Sequence, residues 1–130
     1  MNQPLNKILL VEDEADIQAI VKIALEDIGH LTVKCCSSGQ EALQQAETFL
    51  PDLILLDVMM PVMDGITTFR ALRKRPVLEN TPIIFMTAKS QASEIAEYRK
   101  MGALDVITKP FDPTILADHL RILWNNAHDN

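Results

Sequence analysis

The chain alternates short apolar runs with longer segments in which apolar residues recur every three or four positions. Four of the short runs, at residues 7–11, 53–56, 82–86 and 105–108, predict strands. Residues 31–36 alternate apolar and polar positions, which is typical of a strand near a sheet edge. The run at 53–56 is apolar at every position, so it predicts a strand buried on both faces in the middle of a parallel sheet.

Five segments with helical spacing follow these strands. The first ends at Gly29, the second opens at Ser38 with the spacing of a capping box, and the third ends before Pro76. Gly102 ends the fourth, and Asp112 is expected to cap the last helix. The positions predicted to face inward are Ile17, Ile20, Val21, Ala24, Leu25 and Ile28 in the first helix, Ala42, Leu43 and Ala46 in the second, Ile66, Phe69 and Leu72 in the third, Ala92, Ile95 and Tyr98 or Met101 in the fourth, and Leu116, Leu120 and Leu123 in the last.

Five strands alternating with five helices predict an α/β fold with helices on both faces of a parallel sheet. Right-handed crossovers favour a doubly wound sheet in the order 2-1-3-4-5, the flavodoxin-like arrangement. A chain of 130 residues is long enough for one domain with its own core. We expect a single domain over residues 1–130, with a core from about 7 to 124 and a short tail at 125–130.

Composition and charge narrow the possible functions. The net charge is −6 and the sequence contains no cluster of basic residues, which argues against direct binding to nucleic acid. No apolar run reaches membrane-spanning length and the N-terminus lacks the pattern of a secretory signal, so we expect a soluble protein with no membrane partner. Cys35 and Cys36 are adjacent and suit neither a disulfide nor a metal site, which favours a reducing cytoplasm.

Polar residues stand where the predicted parallel strands end, and these ends share one rim of the sheet. Glu12 and Asp13 follow the first strand, Asp57 the third, Thr87 the fourth and Lys109 the fifth. Each one alone has an ordinary explanation, such as acids at a helix start, a turn residue or a solvated charge. Together they form a constellation at the switch point between the first and third strands, where open α/β sheets bind ligands.

The chemistry of this set is that of phosphoryl transfer. Three converging carboxylates repel one another unless a cation lies among them, and oxygen ligands favour a hard ion such as Mg²⁺. Asp57 is then the candidate nucleophile, which would form an acyl phosphate. Lys109 would neutralise charge on the phosphoryl oxygens, and Thr87 would donate a hydrogen bond to one of them.

Four motifs carry a resemblance to a known family: 10–13 (LVED), 57–65 (DVMMPVMDG), 87–88 (TA) and 109–111 (KPF). From about Lys7 to Trp124 the chain resembles the receiver domain of bacterial two-component response regulators, the CheY-like family. The resemblance implies a cytoplasmic phosphorylation-dependent switch that receives a phosphoryl group on Asp57 from a sensor histidine kinase or a phosphotransfer protein.

The resemblance also implies roles for particular residues. It makes Asp13, Asp57 and the main-chain carbonyl of Met59 ligands of Mg²⁺, with Glu12 acting mainly through water. It implies a cis peptide between Lys109 and Pro110. It further implies that an output protein reads the change on the surface of the fourth helix, fifth strand and fifth helix.

Two positions depart from the commonest pattern of that family. Val106 stands where many members carry an aromatic ring or histidine that rotates during switching, and a valine has no ring to move. We therefore expect the signal to pass mainly through the loop from Thr87 to Ser90. Met59 is apolar where some members carry a polar residue near the attacking water, which bears on how long the phosphoryl group lasts.

Two other functions remain as alternatives. One is an interaction module that works without phosphorylation, although such modules usually lack the acidic pair, the acceptor or the lysine. The other is a Mg²⁺-dependent phosphohydrolase with an aspartate nucleophile, whose second acid would have to stand where Met59 is. We expect no enzyme in the ordinary sense, but a receiver that takes part in its own phosphorylation and autodephosphorylation. It would be either a stand-alone protein or a fragment of a longer regulator.

Overall fold

The computed structural model describes residues 3–88 and 91–128. Within these ranges five parallel strands form one sheet in the order β2-β1-β3-β4-β5, as predicted. The strands are β1 (Lys7–Val11), β2 (Thr32–Cys36), β3 (Leu53–Asp57), β4 (Ile83–Thr87) and β5 (Asp105–Thr108). β2 lies at the edge, in agreement with its alternating pattern. β4 begins one residue later than predicted, and the carbonyl of Pro82 accepts a hydrogen bond from the Ile54 amide at 2.9 Å.

Helices cover both faces of the sheet. They are α1 (Ala15–Lys22), which continues as a π-helical stretch (Ile23–Ile28), α2 (Gly39–Phe49), α3 (Gly65–Arg73) with a 3-10 turn after it (Pro76–Leu78), α4 (Ala92–Met101) and α5 (Leu116–His128). Helices α1 and α5 pack on one face, and α2, α3 and α4 pack on the other. Among the described residues no helix is long and apolar enough to cross a lipid bilayer.

β3 is the centre of the molecule, and all five of its residues are buried. Leu53 and Leu55 point to the core under α1 and α5, while Ile54 and Leu56 point to the core under α2, α3 and α4. A strand with helices on both faces has no solvated side, which explains its unbroken apolar run. The last residue of this strand is Asp57, so its carboxylate is carried by a strand that is buried along its whole length.

The first helix differs from the prediction at two of its six positions. Ile20 and Ile28 are 42% and 49% exposed, whereas Val21, Ala24 and Leu25 are fully buried. Ile20 lies at the margin of the apolar face. An ideal α-helix would place Ile28 near the middle of that face. The chain instead turns π-helical, with the Gly29 amide bonded to the Ala24 carbonyl, and the wider turn rotates Ile28 towards solvent.

Two further corrections concern the last two helices. Ala92 is exposed rather than inward, because the first turn of α4 is held by a polar capping box between Gln91 and Glu94 instead of by burial. Asp112 does not cap α5 directly. Its Oδ1 accepts hydrogen bonds from the amide and hydroxyl of Thr114 at 2.9 and 2.6 Å, which closes a turn ahead of the helix.

The other predicted inward positions are buried or partly buried. Cys35 and Cys36 are free thiols, and burial raises the pKa of Cys36 to about 12.

Candidate functional site

The carboxyl ends of β1 and β3 bring three acidic residues together. Glu12 and Asp57 are almost completely buried, and Asp13, the neighbour of Glu12, is exposed. One carboxylate oxygen from each of Glu12, Asp13 and Asp57 lies within 4.8 Å of the other two. The Glu12 carboxylate lies inside the protein, where its Oε1 accepts a hydrogen bond from Lys109 Nζ, whereas Asp13 faces solvent. The result is a cluster of three acidic groups with one exposed member.

Lys109, which directly follows β5, supplies the positive charge of the site. Its Nζ lies 2.8 Å from Glu12 Oε1 and 3.2 Å from Asp57 Oδ1, so one ammonium group bridges two buried carboxylates. The Lys109–Pro110 peptide bond is cis, as the family resemblance implied. Among the ion pairs of residues 3–88 and 91–128, Lys109 contacts Glu12 and Asp57 but not Asp13.

The pKa shifts follow from this geometry. Burial raises the pKa of Glu12 above its ordinary value of 4.5, and the hydrogen bond from Lys109 opposes that rise. Burial alone would lower the pKa of Lys109, but its hydrogen bond to Glu12 and the charge of Asp57 outweigh burial and raise it. Lys109 is therefore a permanent cation at neutral pH, whereas Glu12 is an acid that protonates more readily than an exposed glutamate.

The loop after Asp57 folds back tightly on the end of β3. The Gly65 amide donates to the Val58 carbonyl at 2.9 Å, and a methyl group on Gly65 would overlap the carbonyl oxygen of Asp57. Only glycine permits this approach of α3 to the strand. Within the loop the Met63 amide donates to the Pro61 carbonyl at 2.8 Å across Val62, whose φ is 68°. That pairing is a γ-turn of the rare positive-φ kind.

Asp64 ends the loop and begins α3. Its Oδ1 accepts a hydrogen bond from the Thr67 amide at 2.8 Å, and this bond lowers the pKa of its carboxyl. An aspartate in the N-cap position satisfies one of the helix's unpaired amides. Asp64 belongs to a motif noted in the sequence, but its capping role was not predicted. The signal was available, since an aspartate before a glycine and a periodic apolar segment is a typical helix start.

Two further candidates are Thr87 and Met59. Thr87 is the last residue of β4 and is 1% exposed, and its carbonyl accepts a hydrogen bond from the Lys109 amide at 2.9 Å. Met59 follows Asp57 by two residues, and its side chain is 63% exposed. Its amide lies 3.4 Å from Asp57 Oδ1. Of the predicted signalling loop, Lys89 and Ser90 lie outside the described residues. Val106 is buried on β5.

The donor set at this rim fits a hard divalent cation. Carboxylate oxygens from Glu12, Asp13 and Asp57 converge, and no softer nitrogen or sulfur ligand belongs to the cluster in the described chain. Mg²⁺ prefers oxygen ligands and usually combines one or two carboxylates with water. Asp13 is exposed, so water can reach the cluster from its side.

Comparisons with known proteins point in one direction. The family described as "Response regulator receiver domain" matches residues 8–121. The chain is 43% identical over 107 residues to the alkaline phosphatase synthesis transcriptional regulatory protein PhoP of Bacillus subtilis, covering 82% of this chain and 43% of that protein. It is 37% identical over 116 residues to the transcriptional regulatory protein DltR of Streptococcus agalactiae, covering 89% of this chain and 50% of DltR. The chain thus spans about half the length, or less, of the curated relatives it matches.

Solved structures agree with the sequence comparisons. The chemotaxis protein CheY4 of Vibrio cholerae superposes with a TM-score of 0.84 at 32% identity, covering 92% of this chain and 98% of CheY4. The receiver domain of the Francisella response regulator 1452 gives a TM-score of 0.82 at 33% identity, covering 96% and 99%. In both cases nearly the whole neighbour is matched, so the similarity extends over the full fold.

Proposed function

The chain belongs to the response regulator receiver domain family, and from this premise we propose that phosphorylation of Asp57 switches it between two conformations. The observation that carries the proposal is the bridge made by Lys109 Nζ, 2.8 Å from Glu12 and 3.2 Å from Asp57, inside a cluster of three carboxylates. A partly buried ammonium beside a buried strand-end carboxylate can neutralise the charge that develops on a phosphoryl group during its transfer to that carboxylate.

Asp57 is the proposed acceptor. A carboxylate oxygen of Asp57 attacks the phosphorus of a phosphohistidine on a sensor kinase or a phosphotransfer protein. The new O–P bond forms as the P–N bond breaks, and the electron pair of that bond returns to the imidazole nitrogen. Because Asp57 ends β3 in a fully buried strand, its position is held by the sheet rather than by a flexible loop.

A metal ion completes the site in this proposal. Asp13, Asp57 and the main-chain carbonyl of Met59 would hold Mg²⁺, with Glu12 acting through water. When bound, the ion supplies the positive charge that lets a polyanionic donor approach three carboxylates. Lys109 contributes the second positive charge, and its raised pKa keeps it protonated throughout the physiological range.

The response to phosphorylation is proposed to run through Thr87. The phosphoryl group brings a charge of about −1.5 to −2 next to the end of β4. A hydrogen bond from the Thr87 hydroxyl would draw the following loop inward and shift α4. Since Val106 offers no ring to rotate, this loop is the main route to the surface formed by α4, β5 and α5, where we expect an output partner to bind.

The relatives suggest what lies downstream. Several are named as transcriptional regulators and are about twice as long as this chain, so we propose that the output is a DNA-binding domain or protein rather than direct DNA contact by residues 1–130. We also propose that residues 1–130 form one receiver domain that acts in the cytoplasm. Met59 is exposed and apolar two residues after the acceptor, a position that bears on how long the acyl phosphate lasts.

The test is phosphorylation by a small-molecule donor. With acetyl phosphate or phosphoramidate and Mg²⁺, intact-protein mass spectrometry should show one added phosphoryl group. Asp57→Asn should abolish the gain, and EDTA should prevent it. Asp118→Asn, which alters a carboxylate that is 80% exposed on α5, is the matched control and should behave like the wild type. An undiminished mass gain in Asp57→Asn would refute the assignment of the acceptor. Release of many phosphates per protein would instead favour a phosphohydrolase.

A further inference from the structure

The hydrogen-bond ladder between β1 and β2 stops at Glu12, the first acid of the cluster. The Glu12 amide donates to the Cys36 carbonyl at 2.9 Å, and β2 ends at Cys36. In a continued parallel ladder the Glu12 carbonyl would accept the next bond from the amide of Ser38. Ser38 is instead the N-cap residue of α2. The carbonyl of the peptide unit that joins Glu12 to Asp13 therefore needs a partner from elsewhere.

The side chain of Gln18, on α1, is that partner. Its Nε2 lies 2.5 Å from the Glu12 carbonyl oxygen and 3.2 Å from Ser37 Oγ. A side-chain amide carries two N–H groups, so each of these acceptors can receive its own hydrogen. Gln18 is half-buried, and its main-chain amide donates to the Glu14 carbonyl at 3.0 Å. The side chain thus reaches back to Glu12 from an ordered helix.

Of the two acids that share this peptide unit, Asp13 depends on it more. The Glu12 carboxylate has its own partners, since Oε1 accepts from Lys109 Nζ at 2.8 Å and Oε2 accepts from the Glu14 amide at 3.1 Å. In the part of the chain that the structure describes, no hydrogen bond or ion pair holds Asp13 directly. The direction in which the Asp13 side chain leaves the backbone is therefore set by the adjoining peptide units, one of which Gln18 holds.

We propose that Gln18 is a positioning residue of the metal site, which orients the Glu12–Asp13 peptide unit so that the Asp13 carboxylate faces the cluster. The inference rests on the proposed function, because it assumes that a divalent cation binds among Glu12, Asp13 and Asp57. Without the Gln18 donor this peptide unit can rotate, and the cation must order Asp13 as it binds. Loss of a group that orients metal ligands typically weakens metal binding about 10- to 100-fold. Gln18 holds the main chain rather than the carboxylate, so the lower end, roughly tenfold, applies.

The experiment measures Mn²⁺ binding by the loss of the free-ion electron paramagnetic resonance signal, with thermal melts in EDTA beside it. Gln18→Met keeps the length of the side chain but removes the donor, and should bind Mn²⁺ roughly tenfold more weakly than the wild type. Gln44→Met makes the same change at an exposed position of α2 and should bind Mn²⁺ like the wild type. Trp124→Phe is the control for general destabilisation. It removes the hydrogen bond from Trp124 Nε1 to the Gln3 carbonyl, ahead of β1 and away from the acidic rim, so it should lower only the melting temperature.

Two further variants test how Gln18 acts. Gln18→Met should weaken Mn²⁺ binding far less in an Asp13→Asn background than in the wild type, because the carboxylate that Gln18 positions is already lost. Gln18→Ala removes the donor without placing a methionine side chain near the loop. It should match Gln18→Met, since the lost hydrogen bond to Glu12 is common to both.

The outcomes distinguish this inference from the function on which it rests. If the wild type does not bind Mn²⁺, or binds it equally well after Asp57→Asn, the metal site itself is wrong. If the wild type binds Mn²⁺ in an Asp57-dependent way but Gln18→Met and Gln18→Ala bind it equally well, only the role of Gln18 is overturned. An equal fold-loss from Gln18→Met in the wild-type and Asp13→Asn backgrounds would also overturn it, because Gln18 would then not act through Asp13. So would an equal loss of affinity in Trp124→Phe, because general destabilisation would then account for both.

Discussion

Removing the Lys109 ammonium should destabilise the metal-free protein. Glu12 and Asp57 have side chains that are 0% and 3% exposed, and Lys109 Nζ is the cation that contacts both. Lys109→Met keeps most of the side-chain volume and removes only the charge and its hydrogen bonds. Two buried carboxylates then face each other without their partner, close to a third from Asp13.

The expected loss can be worked out from the burial of the three groups. Removing one partner of a buried ion pair costs about 3–5 kcal/mol, because the other charge is left buried and unpaired. Lys109 is 17% exposed, so water relieves part of that cost and the lower end, about 3 kcal/mol, applies. For a domain of this size a loss of about 1 kcal/mol lowers the melting temperature by roughly 3–4 °C. Lys109→Met should therefore melt about 10 °C below the wild type in EDTA at neutral pH.

The pH dependence gives a second, independent readout. The folded-state pKa of Glu12 is raised by burial, so folded Glu12 binds a proton more tightly than unfolded Glu12. The cost of burying its charge is present at neutral pH and is relieved as the pH falls through the raised pKa. Loss of Lys109 removes a group that lowers this pKa, so the relief begins at higher pH in the variant. The gap between the two melting temperatures should narrow as the pH is lowered from about 7.5 to about 5.

Calorimetry or circular dichroism melts in EDTA would measure both effects. The double variant Lys109→Met/Glu12→Gln is the control. It also removes one of the two carboxylates that Lys109→Met leaves unpaired, so it should recover much of the lost melting temperature. Lys74→Met, at an exposed lysine beyond α3, should melt within about 1–2 °C of the wild type. The prediction is wrong if Lys109→Met and the wild type melt at the same temperature in EDTA, or if the difference between their melting temperatures grows as the pH is lowered.

Three other predictions concern the same rim. Asp13→Asn should raise the melting temperature in EDTA, because it removes a negative charge next to Glu12 and Asp57. A lower melting temperature would mean that the three carboxylates do not repel one another. Thr87→Ala should still be phosphorylated, but the changes in NMR chemical shift in α4 on adding beryllofluoride should be smaller than in the wild type. Equal changes in both proteins would exclude the Thr87 hydroxyl as the coupling group. Gly65→Ala should lower the free energy of unfolding by about 3 kcal/mol or more in denaturant titrations, because its methyl would overlap the backbone of Asp57. A loss below about 1 kcal/mol would contradict that packing.

Several features of the fold were predictable from residues close together in the chain. The unbroken apolar run of β3 predicted its central position, and the alternating pattern of β2 predicted an edge. The gathering of Asp57, Thr87 and Lys109 at one rim then followed from the parallel topology, because all strands end on the same side. These predictions succeeded because each depends on the average environment of a whole element, which a periodic pattern of side chains records.

The failures have a common physical origin in local hydrogen bonds of the helix backbone and its caps. Ile28 faces solvent because the chain adopts a π-helical turn, and Ala92 is exposed because a polar cap starts α4. Neither change alters the apolar spacing along the chain, so the spacing alone could not reveal it.

The sequence by itself determined the fold, the order of the strands and the set of polar residues at their carboxyl ends. Only the tertiary structure decided that Glu12 is buried while Asp13 is exposed, that Lys109 contacts Glu12 across 97 positions, and that Gln18 bonds to Ser37. The physical reason is distance along the chain. Periodicity reports what a residue's own helix or strand requires, whereas contacts at the site depend on how separate elements pack, and no local pattern specifies that to within an ångström.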